Sequence, residues 1–255
     1  MRDAILRERL HVAYQPVIDL RAGRTAGVEA LVRWTHPTRG ALTPDSFIPV
    51  AEETGLIHPL GAFVLRTACA QAQQWNAQAP NRSPLSLFVN VSASQLADSD
   101  FAELAAQALH DSHLDPATLC LEITETTLMG DGDSMLSTMT SLREMAVRFA
   151  VDDFGTGYSS LNHLKRFTPD YLKVDSSFVA GLGRRADDHA LIEGMTNMAH
   201  ALGVAVVAEG VETAAQLTEL QDLGCEYAQG YYLAPPQLAT GDQRPAGLHD
   251  NREAP

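Results

Sequence analysis

Residues 150–161 read AVDDFGTGYSSL. An apolar run, Phe149, Ala150 and Val151, ends in two adjacent carboxylates, Asp152 and Asp153. Gly155, Thr156 and Gly157 follow, and a helix-like segment opens at Tyr158. The order is buried strand, acidic tip, flexible turn and helix, which is one unit of an α/β protein. Adjacent carboxylates repel each other unless a cation lies between them. In a second reading Asp153 is a helix cap and Asp152 a solvated turn residue. The flanking sequence separates the two.

Working outward, the unit repeats. Strand-like segments fall at 11–20, 26–34, 85–91, 118–124, 148–151, 171–175, 204–210 and 226–233. Helical spacing of apolar residues falls at 45–54, 59–78, from Ser94 onward, and at 134–146, 159–167, 187–202 and 214–223. Residues 1–10 carry Ile5, Leu6 and Leu10 on one face of a short amphipathic helix. The turn RAGRT, residues 21–25, is too short for a parallel crossover, so the first two strands pair antiparallel. Eight strands, mostly reached through helices, predict a TIM-like (β/α)8 barrel whose first strand is antiparallel. The alternative, an open doubly wound sheet, calls for a glycine-rich phosphate loop after an early strand, and the sequence has none there. One domain is expected over residues 1–236. The segment 237–255, rich in Pro, Gly, Asp and Arg, is expected to be a disordered tail.

Composition narrows the function. The formal net charge is −14, which disfavours duplex nucleic acid as a partner. A phosphate-bearing ligand then requires a divalent cation or a few placed Lys and Arg residues. No apolar run is long enough to span a bilayer, and MRDAILRERL lacks the apolar centre of a secretory signal. Cys69, Cys120 and Cys225 match no metal-ligand spacing, so a reduced, cytoplasmic protein is expected. The histidines show no HExxH pairing, and no serine sits in a GxSxG elbow. Metal-activated water is the chemistry left.

The strands carry one polar residue or more each, within or at their ends. In order they are Gln15, Glu29, Asn90, Glu122 with Glu125, Asp152 with Asp153, Lys173 with Asp175, Glu209, and Gln229. A barrel brings the ends of its strands to one mouth. Several carboxylates buried together there need cations, and an all-oxygen set suits Mg²⁺ or Mn²⁺ rather than zinc. Lys173 is the one strand-end cation. It reads either as a structural ion pair for Asp152 or Asp175, or as a catalytic group beside the acids.

These segments resemble the EAL domains, the cyclic di-GMP phosphodiesterases. The likeness runs through YQPVIDL (14–20), EALVRW (29–34), FVNVSASQL (88–96), LEITET (121–126), DDFGTGYSSL (152–161), LKVDSSFV (172–179), VVAEGVET (206–213) and GCEYAQGYYL (224–233). The resemblance implies hydrolysis of cyclic di-GMP to linear pGpG with two Mg²⁺ or Mn²⁺ ions, Ca²⁺ being inhibitory. It implies that Glu29, Asn90, Glu122 and Asp152 hold one ion, and that Asp152, Asp153 and Glu209 hold the other. Lys173 and Glu209 are the implied catalytic residues, with Lys173 on the attacking water. Gln15, Leu31, Arg33 and Gln229 line the implied substrate groove. Glu125 anchors the loop after the paired aspartates, with Asp175 and Glu212 in support. Pro235 departs from the pattern, since the family often carries Lys or Arg there. The resemblance further implies a homodimer, with Tyr158, Leu161 and Leu164 as one possible face, and regulation by sensory or GGDEF-type modules. A catalytically silent cyclic di-GMP receptor, and a barrel enzyme for another phosphorylated or carboxylate substrate, are the competing readings.

Overall fold

The computed structural model describes residues 10–129, 132–157, 164, 167–239 and 244. Strands β1 (Leu10–Asp19) and β2 (Arg24–His36) form the expected antiparallel hairpin. Its turn is closed by Asp19, whose Oδ1 accepts the N–H groups of Arg21 and Ala22. Then follow β3 (Gly40–Leu42), β4 (Ser86–Asn90), β5 (Leu119–Thr124), β6 (Arg148–Phe154), β7 (Tyr171–Val174), β8 (Ala205–Ala208), β9 (Tyr227–Ala228) and β10 (Gln237–Leu238). From β2 through β4 to β9 each pairing is parallel. β1 pairs antiparallel with both β2 and β9, which closes an eight-strand barrel with the first strand reversed, as expected.

Two short strands were not expected. β3 extends the hairpin by pairing with the end of β2. β10 pairs with Ala13 and Tyr14 of β1, so the segment expected to be disordered from Gln237 begins as ordered strand. The backbone N–H groups of β1 left free beyond the two-residue β9 give it a template. Arg244 also donates to the Trp75 carbonyl. Residues 1–9 of the helix expected at 1–10, and most of that at 159–167, lie outside the described residues, while Leu10 opens β1.

The longest helix, α2 (Ile57–Gln78), follows the short α1 (Pro44–Glu53) and buries Val64, Leu65, Ala68, Cys69, Ala72 and Trp75 along one stripe. Trp75 meets Tyr14 of β1 edge-on, with ring centroids 4.9 Å apart. This apolar stripe against the outward face of a strand is the packing that fixes α2 on the barrel. Among the described residues, no helix is long and apolar enough to cross a membrane.

Side chains that point into a barrel stack in layers. Here Val17, Phe88, Cys120, Ala150, Tyr171 and Val207 form a buried cluster of their own, with Tyr227 packed on it. Each is two residues from a strand-end polar group: Gln15, Asn90, Glu122, Asp152, Lys173, Glu209 and Gln229. Because strands alternate faces every residue, that spacing places the cluster directly below the polar layer. Beneath Glu29 the corresponding residue is Gly27. A Cβ there would lie 2.8 Å from the Phe88 ring and 2.6 Å from the Ser86 carbonyl, so the ring occupies the space a side chain would need. Edge-to-face contacts link Phe88, Tyr171 and Tyr227 at 5.2 and 5.8 Å. The barrel is filled across its middle, and its two ends are separate.

Candidate active site

The polar layer is centred on Lys173, which is 1% exposed. Its Nζ lies 2.6 Å from Glu209 Oε1, 2.7 Å from Glu122 Oε1, 3.3 Å from Asp152 Oδ1 and 3.7 Å from Glu29 Oε2. Burial alone would strip the proton from a lysine, but the four carboxylates outweigh it and hold the ammonium well above its ordinary range. Lys173 is therefore a fixed positive charge.

One ammonium does not balance four carboxylates. Glu29 is held below its ordinary value: burial pushes it up, but the Lys173 charge and hydrogen bonds from Gln229 and Asn90 prevail. Glu122 is pushed well up, first by burial and then by Glu29. Burial, with Asp152 and Glu29 adding to it, pushes Glu209 up to about 8 against the pull of Lys173. Asp153 is raised by burial and by Asp152 and Asp175. The layer holds more negative charge than the protein neutralises, and it takes up protons in compensation.

The paired aspartates reach this layer through a break in β6. Val151 pairs with Leu172, and Phe154 with Val174, so three steps on β6 match two on β7. Asp153 takes a left-handed φ of 55° inside the break, and its N–H donates to Asp152 Oδ1. In a regular strand neighbouring side chains point to opposite faces, and a bulge re-aims one of them. The result is that Asp152, Asp153 and Glu209 place ligand atoms within 4.8 Å of one another, a geometry that could hold a metal ion. Glu122 Oε2 is fully buried with no hydrogen-bond partner, although its sister oxygen faces Lys173. An unpartnered carboxylate oxygen beside an excess of negative charge fits a hard divalent cation.

Glu29 is aimed by two amides. Asn90 Nδ2 donates to its Oε1 at 2.7 Å, and Gln229 Nε2 donates to its Oε2 at 2.6 Å. Gln229 Nε2 also reaches Gln15 Oε1, and Gln15 donates to the Ala234 carbonyl. Expected as groove residues, Gln15 and Gln229 are buried, and they orient Glu29. Leu31 and Arg33 continue the inward face of β2 beyond Glu29, half-buried, with Arg33 Nη1 donating to the Val32 carbonyl. Glu125 opens the four-residue helix α3 (Glu125–Leu128), which Thr124 caps by accepting the Thr127 N–H. Its Oε2 accepts the Gly155 N–H at 3.0 Å, and a Cβ on Gly157 would come within 2.8 Å of its Oε1. The carboxylate thus grips the loop that leaves the paired aspartates. Asp175 caps another short helix, α4 (Ser176–Val179), by accepting the Ser177 N–H, and it makes no ion pair with Lys173. Glu212 is exposed, and its N–H is held by Gln216 Oε1. Of the expected dimer face, Tyr158 and Leu161 lie outside the described residues and Leu164 is buried.

With this geometry in hand, the family described as the EAL domain matches residues 1–236. The chain belongs to the EAL domain family. Among relatives, it is 43% identical over 231 residues to the cyclic di-GMP phosphodiesterase PA2567 of Pseudomonas aeruginosa, covering 91% of this chain and 39% of that protein. It is 41% identical to the bifunctional diguanylate cyclase/cyclic di-GMP phosphodiesterase MucR of the same organism, covering 94% of this chain and 35% of that protein. The chain therefore spans little more than a third of these relatives' length. A solved PaMucR phosphodiesterase in complex with c-di-GMP superposes with a TM-score of 0.88 at 41% identity, covering 93% of this EAL domain and 96% of that chain. The FimX EAL domain of Pseudomonas aeruginosa bound to c-di-GMP gives 0.83 at 26% identity, covering 95% and 96%.

Proposed function

We propose that this EAL domain is a metal-dependent phosphodiesterase that opens cyclic di-GMP to linear pGpG. The observation that carries the reading is the charge imbalance around Lys173, with four carboxylates within 4 Å of one buried ammonium and a further cluster at Asp153. The likeness to named cyclic di-GMP phosphodiesterases supports the choice of substrate.

Glu29, Asn90, Glu122 and Asp152 would hold one divalent ion, and Asp152, Asp153 and Glu209 the other. Bound there, Mg²⁺ or Mn²⁺ supplies positive charge that polarises the phosphodiester and acidifies water. Lys173 keeps its proton, so it serves as a donor that orients the attacking water and faces the charge developing on the phosphate oxygens. Glu209, hydrogen-bonded to Lys173 and raised to about 8 by burial when no metal is bound, would be ionised once the ion is held and then able to accept the proton of the water. Water adds to phosphorus, the ring-closing P–O bond breaks, and the leaving oxygen is protonated as the linear product forms. Arg33, beyond Glu29 on the same strand face, pairs with a phosphate that the metals do not reach. Gln15 and Gln229 keep Glu29 in position. Ca²⁺, larger and less exacting in geometry, would occupy the same carboxylates and inhibit.

The test is incubation of purified protein with cyclic di-GMP and Mg²⁺, resolving products by chromatography. Formation of pGpG that stops on adding EDTA is the expected result. Tight binding of cyclic di-GMP with no product under any divalent ion would assign the domain as a receptor instead.

A further inference from the structure

The opposite end of the barrel has a chemistry of its own. One layer below Phe88, Tyr171 and Tyr227 lies a cavity of about 170 Å³, whose polar lining includes Asp19, Arg24, Ser86, Arg148 and the Tyr227 and Tyr171 side chains. Arg148 precedes Ala150 by two residues and Ser86 precedes Phe88 by two, so both continue the inward stacks downward. The Arg148 guanidinium donates to the Tyr171 hydroxyl at 3.1 Å, and Arg24 Nη2 donates to Ser83 Oγ at 3.3 Å.

Neither guanidinium has a carboxylate within ion-pair distance among the described residues, although Asp19 lines the cavity, Asp170 acts on Arg148 and Glu226 acts on Tyr227. Asp19 Oδ1 accepts two backbone N–H groups of its own turn. Asp170 Oδ2 accepts the Phe149 N–H and lies 4.0 Å from Arg143. In a chain of net charge −14, this cavity gathers two arginines that have no ion-paired carboxylate among the described residues. Arginine forks, hydroxyls and a small concave volume are the donor set that recognises oxyanions.

We propose that the floor of the barrel is a second binding site, for a small oxyanion of the phosphate class. Arg148 and Arg24 supply the charge, and Ser86, Ser83 and the tyrosine hydroxyls supply further donors. The cavity holds a phosphate or the phosphate end of a small ester, and it is too small for a cyclic dinucleotide. It is separated from the acidic mouth by the aromatic layer, so its occupation does not depend on the reading of the mouth as a phosphodiesterase centre.

The experiment is calorimetric titration of inorganic phosphate into the protein in EDTA, where the uncompensated acids of the mouth repel anions. Amide NMR shifts locate the binding. Saturable 1:1 binding is expected, with shifts confined to residues around Ser86, Arg148, Tyr171 and Tyr227. Arg148→Gln and, separately, Arg24→Gln should each weaken it by roughly tenfold or more, the effect of losing a charge-assisted hydrogen bond. Arg24 is exposed, so its variant folds even if that of Arg148 does not. Guanosine 5′-monophosphate as a second titrant tells an ester from the free anion: tighter binding than phosphate assigns an ester, equal or weaker binding the free anion. The proposal is overturned by the absence of saturable binding, by shifts that gather at Asp153 and Glu209, or by affinity unchanged in the Arg24 variant.

Discussion

The mouth and the floor of this barrel are built from the same strands, two to five residues apart, and differ in which charged groups lack a partner of opposite sign. At the mouth, Lys173 is outnumbered by Glu29, Glu122, Asp152 and Glu209. At the floor, the guanidinium groups of Arg24 and Arg148 bond only to hydroxyls among the described residues. Between them sits the uncharged layer of Phe88, Cys120, Tyr171 and Val207. The difference teaches what that layer does. The layer keeps Arg148 apart from Asp152, four residues on in the same stack, so the acids of the mouth face Lys173 as their protein cation. Height along a strand, more than identity of the strand, decides the chemistry.

The hardest blow to this contrast is Lys173→Ala. It leaves several buried carboxylates with no protein cation. Turnover should fall by about 10³-fold, and unfolding titrations without metal should show a loss of ~3–5 kcal/mol. Retention of both activity and stability would mean that the mouth is not one charge-coupled centre. Phe88→Ala breaks the partition from the other side. A buried phenylalanine truncated to alanine costs about 3–5 kcal/mol, while kcat should stay within a few-fold of wild type, because the acids keep their amide partners. A collapse of kcat at full folding would show that the layer does more than separate.

Asp152→Asn comes next. Mn²⁺ affinity, followed by calorimetry, should drop by about 100-fold or more, above the effect of losing an outer partner. Phosphate binding at the floor should be untouched. Glu125→Ala sharpens the same line more gently. It frees the Gly155 N–H, and kcat/KM should fall by about tenfold, as for one lost hydrogen bond to a charged group, with the melting temperature nearly unchanged. Equal activity would remove Glu125 from the loop's control.

The smallest effect is in protons. Glu209 is raised from 4.5 to about 8. A carboxyl raised on folding lends stability that is complete below 4.5 and lost as pH climbs through 8. Metal-free protein should therefore melt progressively lower over that window, and Mg²⁺ should restore it. Mg²⁺ binding at pH 7 should release protons, read as a dependence of the calorimetric heat on buffer ionisation enthalpy, and the part due to Glu209 should fall away as pH rises through 8. A heat independent of buffer at pH 7 would contradict the excess negative charge.

Much of this was legible in the chain. The reversed first strand follows from a five-residue turn, and the converging acids follow from polar residues closing apolar runs. The bulge was not legible. That Asp152 and Asp153 both face the mouth depends on how β6 registers against β7, and pairing of distant segments leaves no mark in either one. The chain from Gln15 through Gln229 to Glu29 was hidden for the same reason, since those residues are two hundred positions apart and meet only because the barrel closes. β3 and β10 escaped notice because strands of two or three residues have no period to detect. The floor escaped because Arg24 and Arg148 each begin a strand, where a charged residue reads as ordinary solvation.

The reversal of β1 also sets where the polypeptide enters the barrel. In a barrel of uniformly parallel strands the first strand starts at the floor. Here Leu10 pairs with Trp34, beyond Glu29 at the far end of β2, and β1 descends from there to Asp19. The entry point is thus on the rim of the acidic mouth, next to Arg33, and it packs with Phe47 and Leu60. Leu10 is held there against side chains of the first two helices. The start of β1 and the acid-lined mouth share one rim of the barrel.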